Sequence, residues 1–177
     1  SKELKTLKEI YDFYDKNKLR FENLASIVTE HLIKKSAKNY KAGWITKGSG
    51  DSGIDFIGRM DIGTGFGSAK VIVLGQAKCE SLNSPTGGNH IARTVAKLKR
   101  GWLGVYVTTS YFSDPVQIEI LEDKYPLLLI NGKKLAELVN EIVFDQGYKN
   151  VAEYLKKVDS EYEGLIQYRD PEEILFE

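Results

Sequence analysis

The stretch Val71-Ile72-Val73-Leu74-Gly75-Gln76-Ala77-Lys78 reads as a buried strand closed by two polar side chains. Its four consecutive apolar residues, three of them β-branched, are the clearest strand signal in the chain. Side chains alternate along a strand, so Gln76 and Lys78 share one face while Ala77 points to the other. Upstream, Gly53-Ile54-Asp55-Phe56-Ile57 sets an acid inside an apolar run, just after a glycine-rich turn over 47–53. A strand over 54–61, a hairpin loop over 63–68 and a strand over 70–78 bring Asp55 to the face that carries Gln76 and Lys78.

On the N-terminal side, apolar residues at spacings of three and four predict helices over 2–16 and 20–35. Glu22 falls about 100° round from Phe21, at the edge of the second helix's apolar stripe rather than on its solvent side. Downstream the pattern gives a loop over 83–89, a helix over 90–100, a strand over 102–109 and a short helix over 114–123. A wholly apolar strand over 126–130, placed centrally in the sheet, and helices over 133–144 and 149–157 complete it. The tail beyond Gly164 has no clear pattern. This order predicts an α/β fold, a mixed central β-sheet flanked by α-helices. The whole of 1–177 reads as one domain, with a core over about 20–145, an N-terminal helix and a helical extension over 146–177.

The composition is that of a globular protein: 177 residues, 42% hydrophobic and 28% charged. No apolar run is long enough for a membrane span, and no signal-peptide core opens the chain. Cys79 is the only cysteine in the sequence, so no internal disulfide can form and a reducing, cytoplasmic compartment is expected. Cys79 itself reads as a small structural residue.

An acid, an amide and an ammonium converging at one sheet edge fit phosphodiester hydrolysis. That reaction needs an in-line water, positive charge around the transition state and oxygen ligands for a cation such as Mg²⁺. Asp55 would be the charged ligand, with the Gln76 amide oxygen and the Ala77 carbonyl as neutral ones. Lys78 would orient the water or stabilise developing charge, and Glu22 could add a second carboxylate. Spacing alone equally allows a surface Asp–Lys pair beside a plain hydrogen-bonding Gln.

Gly48-Ser-Gly-Asp-Ser-Gly-Ile-Asp55, an apolar strand and then Gln76-Ala-Lys78 resemble the Mrr-type restriction endonuclease catalytic domain of the PD-(D/E)xK superfamily, with Gln in place of the usual acid. Phe21-Glu22 resembles the start of that family's first core helix. Gly104-Val-Tyr-Val-Thr-Thr109 with Phe112-Ser113, and Pro126-Leu-Leu-Leu-Ile-Asn-Gly132 with Leu135-Ala-Glu-Leu138, resemble its later elements. The likeness covers about 20–140 in order. It departs at Cys79-Glu80, where a basic residue is usual. It implies a restriction-endonuclease-like core and Mg²⁺-dependent cleavage of double-stranded DNA in prokaryotic host defence, with Mn²⁺ able to substitute. Asp55, Gln76 and Lys78 carry over directly and Glu22 less directly. A repair or junction-resolving nuclease of the same superfamily and a non-cleaving DNA-binding domain are the alternative readings.

Lys plus Arg and Asp plus Glu both number 25, giving zero net charge, where a stand-alone DNA binder usually shows a basic excess. A recognition domain, fused or in trans, or a homodimer is therefore expected to add affinity, and the chain reads as a possible fragment of a longer restriction enzyme. Arg93, Lys97 and Arg100 recur at helical spacing and read either as a solvated face or as a phosphate-tracking stripe, with His90 a further candidate DNA contact. Glu80 shares the face of Gln76 and Lys78. It reads as a solvated strand-end charge in preference to a partner of Lys78 or of the metal. His31 and His90 have no second His or Cys at zinc-ligand spacing. Thr108, Thr109 and Ser110 read as turn-formers.

Overall fold

The computed structural model describes residues 1–37, 39–46 and 53–177. The glycine-rich turn expected over 47–53 therefore lies, apart from Gly53, outside the described residues.

Two helices come first, α1 over Lys2–Tyr14 and α2 over Phe21–Ile33, separated by a 3-10 turn over Lys18–Arg20. Strand β1, Tyr40–Ile45, is absent from the sequence-based expectation. Its short Lys41-Ala42-Gly43 interior carries no apolar alternation. Strands β2, Phe56–Ile62, and β3, Ala69–Lys78, form the expected hairpin, and β1 pairs antiparallel with β2. The chain then crosses through α3, Gly88–Lys97, to β4, Leu103–Thr108, and through α4, Asp114–Asp123, to β5, Leu127–Ile130. Both of these strands run parallel to β3. Helices α5, Gly132–Asp145, and α6, Val151–Glu161, come next, and the tail forms 3-10 turns over Glu163–Leu165 and Pro171–Phe176.

The sheet order is β1-β2-β3-β4-β5, so the mixed sheet expected from the sequence is present, but β5 is an edge strand and not a central one. Its unbroken apolar run reflects cover on both faces: Leu128 packs with the α2/α5 cluster, and Leu127 and Leu129 with the α3/α4 cluster. Helix α3 also ends earlier than periodicity suggests. Leu98 takes an extended conformation (ψ 128°) and packs with Trp102 against Ile72 and Leu74, which leaves Arg100 outside the helix. The stripe is thus reduced to Arg93 and Lys97.

The two faces of the sheet carry different groups. Val73, Ala77 and Cys79 join the large core beneath α2, α5 and α6. Ile72 and Leu74 face the opposite side, and by alternation Gln76 and Lys78 continue it beneath α3. At the hairpin's open end a Cβ on Gly75 would lie 2.0 Å from the Phe56 ring, so only glycine lets Phe56 lie across β3 there. Of the tyrosines, Tyr14, Tyr40, Tyr106, Tyr154 and Tyr162 are buried, while Tyr111 and Tyr168 are exposed. No helix among the described residues is long and apolar enough to cross a membrane.

Candidate active site

The β2–β3 register pairs Phe56 with Gly75, which puts the next residue back, Asp55, across from Gln76. Asp55 itself precedes β2 instead of lying within it, yet its N–H donates to the Gly75 carbonyl at 2.7 Å and extends the ladder by one residue. The same residue's carboxylate is pinned too: Oδ2 accepts from the Ala77 N–H at 2.7 Å.

Glu22 arrives from the first turn of α2 and is 5% exposed. The Tyr162 hydroxyl donates to its Oε1 at 3.0 Å. Glu22 and Asp55 stand close enough across the end of the sheet for each to shift the other's titration. Burial first and the neighbouring Asp55 charge second push the Glu22 carboxyl up to about 9. Burial likewise raises Asp55, while the Ala77 N–H and Glu22 pull it the other way. Two buried carboxyls this close disfavour double ionisation, so negative charge is confined here.

Lys78 closes the site. Its Nζ lies 3.3 Å from Glu80 Oε1 and donates to His90 Nε2 at 2.7 Å. Burial and the Lys78 ammonium lower the pKa of His90, which favours the neutral, accepting imidazole. Glu80 is not the solvated charge expected from the sequence, because its side chain is only 13% exposed. Thr86 Oγ1 donates to its Oε2 at 3.0 Å, and Thr109 Oγ1 accepts from its N–H at 2.8 Å. Thr108 and Thr109, expected as turn-formers, thus help fix the acid that faces Lys78. Both Glu80 oxygens are engaged, Oε1 with Lys78 and Oε2 with Thr86. His31 is paired with Glu141 at 2.9 Å, away from the site.

Glu22, Asp55, Ala77 and Lys78 line an open cleft of about 450 Å³ together with Lys18, Leu19, Ser81 and Ser84. Sequence reasoning misses the last four, since a polar break and a serine loop carry no chemical signature. Gln76 is half-buried, and its Oε1 accepts from the Thr94 hydroxyl of α3. Arg93 stands close to Gly53, two residues before Asp55: a Cβ on Gly53 would lie 3.8 Å from its Cβ. Among the described residues no cluster of three or more His, Cys, Asp or Glu side chains that could hold a metal ion forms.

Residues 20–139 match the restriction endonuclease family defined by the Mrr catalytic domain. The chain belongs to that family. The matched span holds Glu22, Asp55, Gln76 and Lys78 together with all five strands. This restriction endonuclease domain is similar to the MspJI restriction endonuclease solved in complex with a 27-mer oligonucleotide, with a TM-score of 0.93 and 43% identity over 99% of this chain and 39% of that one. It is also similar to the DNA modification-dependent restriction endonuclease AspBHI, with a TM-score of 0.71 and 24% identity over 93% of this chain, a likeness that speaks for the fold alone. The domain spans 39% of the length of each of these two chains. No curated protein matches the sequence.

Proposed function

We propose that this domain hydrolyses phosphodiester bonds of double-stranded DNA with a divalent cation, Mg²⁺ in the first instance and Mn²⁺ as a substitute. The observation that carries the reading is the cleft at the open end of the β2–β3 hairpin, where the buried carboxyls of Glu22 and Asp55 meet Ala77 and Lys78. A hard, all-oxygen donor set suits Mg²⁺ better than zinc or copper. Asp55 and Glu22 would hold the cation as carboxylates, with Gln76 Oε1 and the Ala77 carbonyl as neutral donors. Bound there, the cation supplies positive charge to the phosphate oxygens and a more acidic water.

The protein's own groups do the rest. Lys78 presents an ammonium to the cleft, where charge develops on the phosphate oxygens, and Glu80 and His90 fix its reach. Lys18, Ser81 and Ser84 offer donors to flanking phosphates along the cleft. The family membership and the likeness to an oligonucleotide-bound endonuclease support DNA as the substrate. With zero net charge, affinity is expected to come from further chain or a second protomer, and a separate module would read the site. The experiment is plasmid incubation with Mg²⁺, with and without a chelator, on methylated and unmethylated DNA. Chelator-sensitive nicking or linearisation supports the reading; an inert protein on both substrates favours a non-cleaving binding domain.

Arg93 and Lys97 are exposed on α3, and Arg93 lies beside Gly53. The double variant Arg93→Ala/Lys97→Ala is expected to lower the slope of log affinity against log salt by about two, one phosphate contact each, while kcat stays within about twofold. Fluorescence anisotropy across a salt series measures the slope. A slope equal to wild type returns these residues to a merely solvated face.

A further inference from the structure

Helix α3 meets β3 through matched repeats. One helical turn separates His90 from Thr94, a rise of about 6 Å, and two strand residues separate Lys78 from Gln76, about 6.6 Å. The two repeats coincide, so His90 lies on Lys78 and Thr94 on Gln76. Thr94 is 1% exposed, and its hydroxyl has two acceptors in reach, Gln76 Oε1 and, at 3.3 Å, the His90 carbonyl one turn back. A buried helical threonine ordinarily satisfies itself on that carbonyl. Here the Gln76 contact is the shorter. Helix α3 is seated independently of these polar contacts, because Ile91 packs with Tyr106, the residue paired with Gln76 on β4.

We propose that His90 and Thr94 are positioning residues of the nuclease centre: Thr94 fixes the plane of the Gln76 amide, and His90 fixes the Lys78 ammonium between itself and Glu80. This rests on the nuclease reading. An isolated glutamine amide turns broadly about its last torsion, and donation from Thr94 restricts it while leaving the second lone pair of Oε1 available. His90 then acts on the cleft through Lys78. One helix would thus set the neutral ligand with its inward face and carry Arg93 and Lys97 on its exposed face.

Thr94→Val keeps the shape and removes the hydroxyl. In single-substrate cleavage it is expected to lower kcat about 10- to 100-fold, raise the Mg²⁺ concentration for half-maximal rate and leave the KM for DNA within about twofold, with Thr94→Ser restoring most of the loss. His90→Ala is expected to lower kcat without moving the Mg²⁺ requirement, because it acts on Lys78 alone. A readout independent of activity is the Gln76 side-chain amide in ¹H–¹⁵N spectra of the metal-free protein: its NH₂ pair should shift in Thr94→Val and hold in Thr94→Ser. Wild-type rates in Thr94→Val, or unmoved Gln76 resonances, would overturn the proposal while leaving the nuclease reading intact. A wild-type protein that never cleaves refutes the nuclease reading and the proposal with it, and that pattern is separable because no variant is then compared.

Discussion

Asp55→Asn is expected to reduce DNA cleavage at least about a thousandfold while leaving the fold untouched. The substitution preserves size, and an Asn oxygen can still accept the Ala77 N–H that Asp55 Oδ2 accepts at 2.7 Å. The ladder bond from the Asp55 N–H to Gly75 is a backbone contact and also survives. Only the charge disappears, and with it the strongest ligand in a set whose other members are a second carboxylate, an amide and a carbonyl. Because burial disfavours the ionised form of Asp55, the variant should melt no lower than wild type. Cleavage within tenfold of wild type would remove Asp55 from the centre.

Glu22→Gln is expected to move activity and stability in opposite directions. Activity should fall about a hundredfold from loss of the second carboxylate. Stability of the metal-free protein should rise, and its pH dependence identifies the cause. In the folded state the Glu22 carboxyl titrates near 9, against 4.5 when unperturbed. Between those values the folded protein holds a proton that the unfolded chain releases, so wild-type stability falls as pH rises through that window. Gln carries no such proton, offers an N–H toward Asp55, and keeps an oxygen for the Tyr162 hydroxyl. The variant should therefore match wild type at about pH 4 and melt higher at about pH 8, by at least a few degrees. Adding Mg²⁺ at the higher pH should raise wild-type Tm more than that of the variant. A variant less stable than wild type there would mean that the two carboxyls are not confined together. Calorimetry at the two pH values measures it.

The heart of the site is legible in the sequence because alternation and hairpin register are local rules. Gln76-Ala77-Lys78 and the hairpin through 62–69 fix which side chains share a face, and Asp55 comes from counting back. Burial of Glu22 is legible from its angle to Phe21 for the same reason. What the sequence hides depends on contacts between distant elements. Nothing local says that α3 crosses β3 in register with Gln76 and Lys78, so nothing singles out Thr94, and His90 reads only as a candidate DNA contact at a helix start. Glu80 sits on the face that alternation gives it, but its burial comes from Thr86 and Thr109, 6 and 29 residues away. Arg100 falls off its helix because Leu98 is drawn into the Ile72/Leu74 cluster, and no residue before Gly101 signals a stop. Strand β5 looks central because apolar runs report cover on two faces and are silent about a free edge.

Whether Asp55, Glu22, Gln76 and Lys78 form one metal-assisted centre can be settled by anomalous scattering from Mn²⁺. The crystals would hold the Asp55-intact protein with a DNA duplex carrying a slowly cleaved phosphorothioate linkage. The expected result is a manganese peak within ligand distance of the Asp55 carboxylate and a DNA phosphate, with Glu22 and Gln76 Oε1 beside it and Lys78 facing the same phosphate. A peak elsewhere, or a phosphate seated in the cleft with Glu22 and Asp55 still side by side and no manganese between them, would contradict a shared centre.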